Sequence, residues 1–276
     1  MTAVRLGAKS RLMLVLLTLA GLAMFGWPFL VPAGSDAATT SAPYLFMALL
    51  PLLMLLVLAQ IADGGLDAKA LAILGVLSAI NAALRPLGAG LNGIETVFFL
   101  LILAGRVFGP GFGFALGATS ILASALLTAG VGPWLPFQML ASAWLGLGAG
   151  LLPRKIGRRA IRGLGELVML IVYGIVAAYL YGALLNLWFW PYIVGSTMGD
   201  QADLAYIAGG PFLVNLKRFA VYSLITSTAV WDTGRAITTS VLLGLTGLPV
   251  LAMLRRTVRR ANFAPEAQFD LAGKGQ

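Results

Sequence analysis

The fold is decided by residues Asn92 to Arg154, which read NGIETVFFLLILAGRVFGPGFGFALGATSILASALLTAGVGPWLPFQMLASAWLGLGAGLLPR. Three apolar runs are joined here by turns of a few Gly and Pro residues, and glycines recur within the runs. Short connections between apolar helices leave little chain outside a bilayer. The stretch therefore predicts tightly packed membrane helices and a function inside or across the membrane.

The composition of the 276 residues agrees with this interpretation. Hydrophobic residues make up 59% and charged residues 11%, against about 25% charged in a typical soluble domain. The chain has no cysteine and no histidine, which excludes thiol chemistry, disulfides, His-dependent triads and metal sites built on His or Cys. A site of carboxylates alone stays open, but no acidic cluster supports it. We expect neither a metal nor another cofactor.

Eight apolar runs approach or reach the roughly 20 residues that a spanning helix needs. They are Leu12–Val31, Tyr44–Ala62, Ala70–Leu84, Ile94–Phe108, Phe112–Thr128, Leu135–Leu152, Leu164–Phe189 and Ala236–Leu254. The third stops at Arg85-Pro86, because proline disfavours helix in the residue before it. The sequence predicts an all-α membrane protein of about eight spans. It divides into an N-terminal transmembrane pair (1–67), a six-helix core (68–260) and a tail (261–276).

The first run has a second interpretation. Basic residues precede it, and Ala- and Ser-rich sequence follows it, as in a secretory signal that is cleaved. Its near-spanning length favours a retained helix. The topology of the remaining runs is the same in both cases.

The net charge of +9 would also suit a nucleic-acid-binding protein, but the placement of the charges argues against that. With the N-terminus in the cytoplasm and the runs alternating, 15 of the 19 Lys and Arg residues fall inside. The four outside are Arg85, Lys217, Arg218 and Arg235. Cytoplasmic enrichment in Lys and Arg orients membrane proteins. We therefore expect a multi-pass protein of the cell membrane, with both termini cytoplasmic and no nucleic-acid partner.

The segment Phe212–Trp231 is moderately apolar, and its sequence alone does not show whether it spans the bilayer. If it spanned the bilayer, the arginines that follow Leu254 would lie outside, against the positive-inside rule. Its polar residues, such as Asn215, Lys217 and Ser227, suit a wet surface better than lipid. We predict a helix at the outer face before the last span, either interfacial or folded back over the bundle.

Small residues recur at every fourth position on several runs, which lets helix backbones approach closely in lipid. The sets are Gly113 and Gly117; Ser142, Gly146 and Gly150; and Gly174, Ala178 and Gly182. For these we predict packing within the bundle. The third run carries a longer stripe of Ala68, Ala72, Gly75, Ala79 and Ala83. Two interpretations stay open for it: packing within the bundle, or contact with another membrane subunit.

The order of these elements resembles the substrate-binding S component of energy-coupling factor (ECF) vitamin transporters. The resemblance rests on Ala68-x-x-x-Ala72, then GRVFGPGFGFALGA, GPWLPFQMLASAWLGLGAGLLPR and WDTGRAITTSVLLGLTGLPVLAMLRR. It covers roughly Ala68 to Arg260. The N-terminal pair departs from the six-helix pattern, and nothing in the resemblance explains it.

The resemblance implies a binding subunit and not an enzyme. S components bind a vitamin or its precursor near the outer face and dock on a T subunit, which couples to two cytoplasmic ABC-type ATPases. Small residues of the opening helix form the docking face, here Ala68, Ala72, Gly75 and Ala79. The chain has no G-x-x-x-x-G-K-[ST] phosphate loop, so ATP would be used by a partner.

The outer ends of the core helices supply candidate substrate-binding residues, because small-molecule sites combine apolar and aromatic walls with a few polar groups. The segment Pro86–Asn92 is Gly-rich and could act as a lid. The candidates are Asn92, Glu95, Trp134, Gln138, Asn186, Trp188, Trp190, Tyr192, Asn215, Arg218, Tyr222, Asp232 and Arg235.

Each group of candidates also has a structural interpretation. Trp134, Trp188, Trp190 and Tyr192 lie where an interfacial aromatic belt is expected. Asn92 and Glu95 fit a helix capping box, and Glu95 could instead pair with Arg85. Asp232 and Arg235, three residues apart, could pair on one helix face.

The aromatic and amide-rich outer face favours a bulky, hydrogen-bonding ligand over a simple ion. RPLGAGLNGIE, GPWLPFQM and LNLWFWP resemble cobalamin-type S components more than thiamine or biotin types. Three alternatives remain. A stand-alone secondary carrier would need inverted repeats or mid-membrane coupling carboxylates. A membrane enzyme would need a buried acid cluster or an activated nucleophile. A membrane scaffold without ligand needs neither.

Overall fold

The computed structural model describes residues 6–30, 50, 51, 54, 55, 58, 59, 66, 68–88, 93–192 and 203–260. Its helices are α1 (Ala8–Phe25), α2 (Ala68–Leu84), α3 (Phe98–Phe108), α4 (Pro110–Leu127), α5 (Leu135–Leu151), α6 (Leu164–Phe189), α7 (Phe212–Ser223) and α8 (Thr233–Arg260). Short 3₁₀ turns follow α1, α2 and α6 at Trp27–Phe29, Arg85–Gly88 and Trp190–Tyr192. A π-helix, Leu224–Asp232, joins α7 to α8. Two two-residue strands, β1 (Lys155–Ile156) and β2 (Arg159–Ala160), form an antiparallel hairpin.

Five described segments are long and apolar enough to cross a membrane: Ala8–Phe25, Ala68–Gly88, Pro110–Leu127, Leu164–Tyr192 and Phe212–Arg260. The shorter apolar helices α3 and α5 alternate with them along the chain. These features confirm an all-α membrane protein. The predicted second run, Tyr44–Ala62, lies mostly outside the described residues, and the tail 261–276 lies entirely outside them.

Gly and Pro place the helix boundaries largely where the sequence predicts them. α2 ends at Leu84, ahead of Arg85-Pro86. A single residue, Gly109, separates α3 from α4, and its φ of 109° is open to glycine but rarely to other residues. Pro110 then opens α4, where its missing N–H lacks an intrahelical partner in any case.

The start of α3 differs from the prediction. Gly93 has a φ of 79°, and residues 94–97 are not helical, so α3 begins at Phe98 instead of Ile94. Val97 takes the N-cap position without a side-chain hydrogen bond. The predicted capping box is therefore wrong for this helix: Glu95 Oε1 accepts a bond from the Val97 N–H at 3.3 Å, and Asn92 lies outside the described residues.

α4 and α5 pack backbone to backbone along their small residues. A Cβ added to Gly146 would collide with the backbone of Gly113, and one added to Gly117 would collide with the backbone of Ser142. Gly150 meets the start of α4 at Pro110 in the same way. This confirms the prediction that these residues pack within the bundle. α3 lies against both helices, and every residue of α3 except Phe99 is buried.

The predicted outer-face helix does not end before the last span. α7, the π-helix and α8 form one 49-residue segment, about 74 Å long at about 1.5 Å per residue, against a bilayer core of about 30 Å. The predicted break near Trp231 is wrong, because the helical segment continues through the π-helix into α8. Lys217 is exposed as predicted, but other polar side chains of the segment pack against protein. Asn215 and Ser227 are buried, whereas Leu213 is 74% exposed.

α1 packs on the six-helix core. A Cβ on Gly21 would collide with Leu140 and Trp144 of α5. The indole N–H of Trp144 donates to Thr18 Oγ1 at 3.3 Å, and the rings of Phe25 and Phe137 meet edge to face with centroids 5.1 Å apart. The first apolar run is thus fitted into the same core as the helices that follow.

Candidate functional site

Polar groups from four elements meet at one end of the bundle. Arg85, just after α2, donates through Nη2 to Gln138 Oε1 of α5 at 2.8 Å. Arg235 of α8 donates to Asp232 Oδ1 at 2.6 Å and lies over the ring of Tyr181 of α6, 5.4 Å from the centroid. We call this set, together with Glu95, the polar cluster. It joins four of the predicted site residues: Glu95, Gln138, Asp232 and Arg235.

Glu95 lies between the two arginines of the polar cluster. Burial raises the pKa of its carboxyl group, while the charges of Arg235 and Arg85 lower it. Because Arg85 donates to Gln138, it acts on Glu95 as a nearby charge and not through the ion pair that the sequence suggested. The next glycine back, Gly93, lies against the backbone of Trp231, where a Cβ would collide with the Trp231 carbonyl. Gly93 therefore lies against the π-helix.

Asp232 is held in place from three sides. It is 1% exposed, accepts a hydrogen bond from Ser227 at 3.1 Å and pairs with Arg235, which confirms the predicted pair at three-residue spacing. Gly182 of α6 lies directly opposite, and a Cβ there would collide with the carboxylate. Gly182, part of the Gly174–Gly182 stripe, thus leaves room for Asp232 in the interface between α6 and the α7–α8 segment.

The predicted aromatic residues divide into two packed groups and one exposed ring. Trp190 and Tyr222 pack with Tyr206, and Trp190 donates to the Leu204 carbonyl at 2.9 Å. Trp188 lies on Phe137 with centroids 4.5 Å apart, and Tyr192 lies 5.9 Å from Trp188. Trp134 is 44% exposed, as expected of an interfacial belt. The buried rings of Trp188, Trp190 and Tyr222 pack inside the protein instead of lying at the membrane interface.

Asn215 and Arg218 hold a segment of chain that the sequence did not single out. Asn215 both accepts from the Ile207 N–H and donates to the Ile207 carbonyl, at 3.1 and 2.8 Å. Arg218 donates to the Ala205 carbonyl at 3.0 Å. Beside this segment is a groove of about 520 Å³, lined by Asp203, Leu204, Leu213, Val214, Lys217, Arg218 and Val221. Asn186 donates to Ser223 at 2.9 Å and ties α6 to α7.

Tyr181, Ser227 and Tyr206 were not predicted. Tyr181 lies within a continuous apolar run, and no pattern distinguishes it from its neighbours. Ser227 follows Ser223 by four residues, and a test of that helical face for buried polar pairs would have found it. Tyr206 lies in a polar connection whose path over α7 depends on tertiary contacts.

The opposite end of the bundle carries an ion network. Arg106, 3% exposed, donates through Nε to Glu166 Oε1 at 2.6 Å, and Arg255 donates to the same carboxylate at 2.7 Å. Arg106 also donates to the carbonyls of Leu152 and Pro153. The sequence put these arginines on one side of the membrane, and the structure brings them together at one end. That this end is cytoplasmic stays a prediction.

The stripe on α2 faces away from the other helices that the structure describes. Ala68, Ala72, Gly75 and Ala79 are all exposed, and a Cβ added to Gly75 would meet nothing within 4 Å. The opposite face carries the contacts to α4: Ser78 bonds to Thr119 at 2.7 Å, and Asn81 donates to Ser120 at 3.0 Å.

The model of the family "ECF transporter, substrate-specific component" matches residues 69–251. The match runs from the start of α2 into α8, and it leaves α1 outside. No curated protein and no solved structure matches the chain. The family match covers well over half of the chain and the same helices on which the resemblance rests, so the protein belongs to the family of substrate-specific components of ECF transporters.

Proposed function

We propose that this chain captures a vitamin-class molecule at the outer face of the cell membrane and passes it to an ECF importer. The observation that carries the proposal is the polar cluster, where two arginines, two carboxyls and an amide come together at one end of the bundle beside the Tyr181 ring of α6. A family of binding subunits needs a ligand site, and this end combines aromatic walls with few polar groups.

The chemistry of this end favours a bulky ligand with several hydrogen-bonding groups. The arginines offer donors, Glu95 and Asp232 offer acceptors, and Phe137 and Trp188 supply an apolar wall next to Gln138. Cobalamin, which carries many amide groups on a large ring system, is our first candidate, and it is supported by the resemblance of the RPLGAGLNGIE, GPWLPFQM and LNLWFWP segments. Thiamine and biotin are the next candidates.

Docking on a T subunit that couples to two ATPases is the second part of the proposal. Family membership implies such partners. The exposed small residues of α2 support the location, because small side chains let a partner helix approach closely in lipid. The end with Arg106, Arg255 and the basic hairpin would face the cytoplasm, in line with the positive-inside rule.

Ligand binding by the purified chain in nanodiscs tests the capture function. Cobalamin, thiamine and biotin are titrated separately without ATP, and the wild type should bind one of them. Arg235→Gln should weaken that binding about tenfold or more, since it removes a charged donor from the site. Arg256→Gln is the matched control, because it makes the same charge change at an exposed position near the other end of α8. If the wild type binds none of the three, the proposed substrate class is wrong.

A further inference from the structure

The helix α1 lies outside the family-matched residues and still reaches the proposed substrate end. After α1, the 3₁₀ turn Trp27–Phe29 brings Trp27 to within 5.9 Å of the Tyr192 ring, between centroids, and 6.2 Å of the Tyr206 ring. Tyr206 donates its hydroxyl to the Pro28 carbonyl at 2.7 Å. The turn is therefore built into the aromatic end of the core.

Two hydrogen-bonding atoms in this aromatic region have no protein partner in the described part of the chain. They are the indole Nε1 of Trp188 and the hydroxyl of Tyr192, and both atoms are buried. Trp188 as a whole is 5% exposed. Buried polar groups are nearly always hydrogen-bonded, so two such atoms on rings 5.9 Å apart leave a place for hydrogen-bond acceptors that the described residues do not supply.

The neighbouring residues show that the region can satisfy its polar groups. Trp190 donates to the Leu204 carbonyl, and Tyr206 donates to the Pro28 carbonyl, at 2.9 and 2.7 Å. The same two residue types are thus paired in one group and unpaired in the next. A general shortage of acceptors at this end does not explain the difference.

The unpaired group lies at the same end of the bundle as the polar cluster. Phe137 and Gln138 are consecutive in α5: the ring of Phe137 lies on Trp188, and the amide of Gln138 accepts from Arg85. Consecutive side chains of a helix point in different directions, so a ligand must be bulky to contact both the polar cluster and the rings of Trp188 and Tyr192.

We propose that Trp27, Trp188 and Tyr192 form an aromatic subsite of the substrate site, in which the Trp188 indole and the Tyr192 hydroxyl donate to acceptor atoms of the ligand. The ligand class is a flat or apolar ring system that carries carbonyl or amide oxygens. Trp27 gives the N-terminal segment, which the family pattern lacks, a part in substrate binding. This inference rests on the proposed capture function.

Tyrosine-to-phenylalanine changes test the subsite, because loss of an unpaired hydroxyl and loss of a paired one have different consequences. Tyr192→Phe removes a hydroxyl without a protein partner, so the melting temperature of the chain without vitamin should stay the same or rise. Its affinity for the vitamin that the wild type binds should fall about fivefold to tenfold. Tyr206→Phe is the matched stability control: it breaks the bond to Pro28, so its melting temperature should fall.

The binding assay uses the full chain in nanodiscs, with cobalamin, thiamine and biotin as separate probes. Trp27→Leu should also weaken binding about fivefold or more, through loss of ring contact. Wild-type affinity in Tyr192→Phe would overturn the donor role, and wild-type affinity in Trp27→Leu would overturn the part of the N-terminal segment. Either result leaves the capture function standing. A wild type that binds none of the probes would contradict the capture function and this inference together.

Discussion

The α4–α5 interface and the outward face of α2 carry the same sequence pattern and have opposite environments. In α4 and α5, Gly113 and Gly146 face each other so closely that neither position has room for a Cβ. On α2, Gly75 belongs to a stripe of similar spacing, and no described residue comes within 4 Å of a Cβ added there. Small residues four apart permit close approach of a helix; whether the approaching helix belongs to the same chain is decided by the fold.

The difference gives the α2 stripe its functional interpretation. α2 holds to α4 by the other face, through Ser78 and Asn81, so the stripe is not needed for folding against the described core. Long lipid-facing side chains would serve an unpartnered face equally well. The outward face also exposes Leu71, Val76 and Ile80. The stripe of Ala and Gly beside them leaves room for a second backbone to come close, which favours contact with another membrane subunit.

The strongest contrast should come from Gly146→Ala. The added methyl would collide with the backbone of Gly113, and a backbone cannot turn aside as a flexible side chain can. We expect a loss of about 3 kcal/mol of unfolding free energy, the upper end of the range for overpacking. This loss exceeds the gain of about 1 kcal/mol that Ala brings over Gly through better helix propensity. Thermal unfolding in detergent measures it. A variant as stable as the wild type would show that α4 and α5 are not closely packed.

The inner face of α2 should give a smaller effect. Asn81→Ala removes the bond to Ser120 from a fully buried position, and hydrogen bonds between membrane helices contribute about 0.6–2 kcal/mol. We expect a loss of about 1 kcal/mol in the same unfolding assay. Ala79→Ser on the outward face is the control and should change stability less. Equal losses in the two variants would show that α2 is not held by its Asn81 face.

Gly75→Ala should give the smallest effect, of opposite sign to Gly146→Ala. Its Cβ meets nothing within 4 Å, so the change brings better helix propensity without a collision, a gain between zero and about 1 kcal/mol. Unfolding of the isolated chain is the measurement. A loss comparable to that of Gly146→Ala would mean that the α2 stripe is covered within this chain.

Much of the fold could be predicted from local sequence, because Gly and Pro residues end the helices and form the turns between them. The end of α2 before Arg85-Pro86, the turn at Gly109 and the Asp232–Arg235 pair all depend on neighbours within a few residues. The continuity of α7 with the last span was missed because the polar residues Asn215 and Ser227 suggested a segment exposed to water. Their partners come from the chain's own tertiary contacts, which periodicity does not contain.

The sequence predicted which residues belong to the candidate site, but not how their side chains pair. The polar and aromatic residues at the helix ends correctly predicted that Glu95, Gln138 and Arg235 lie at one end of the bundle. That Arg85 would bond to Gln138 instead of Glu95, and that Trp188 would lack a described partner while Trp190 has one, depends on how the helices pack against one another. The contribution of Trp27 could not be anticipated, because it comes from the part of the chain that departs from the family pattern.

The most direct test of the account is co-purification of the chain with its T subunit and ATPases. Ala72→Trp and Gly75→Trp should abolish the complex, because the bulky rings fill the space that a partner helix needs. Each isolated variant should still bind whichever probe vitamin the wild type binds. Leu245→Trp, at a position on α8 that is 74% exposed, is the matched control and should assemble normally. Intact complexes with both Ala72→Trp and Gly75→Trp would contradict docking through α2.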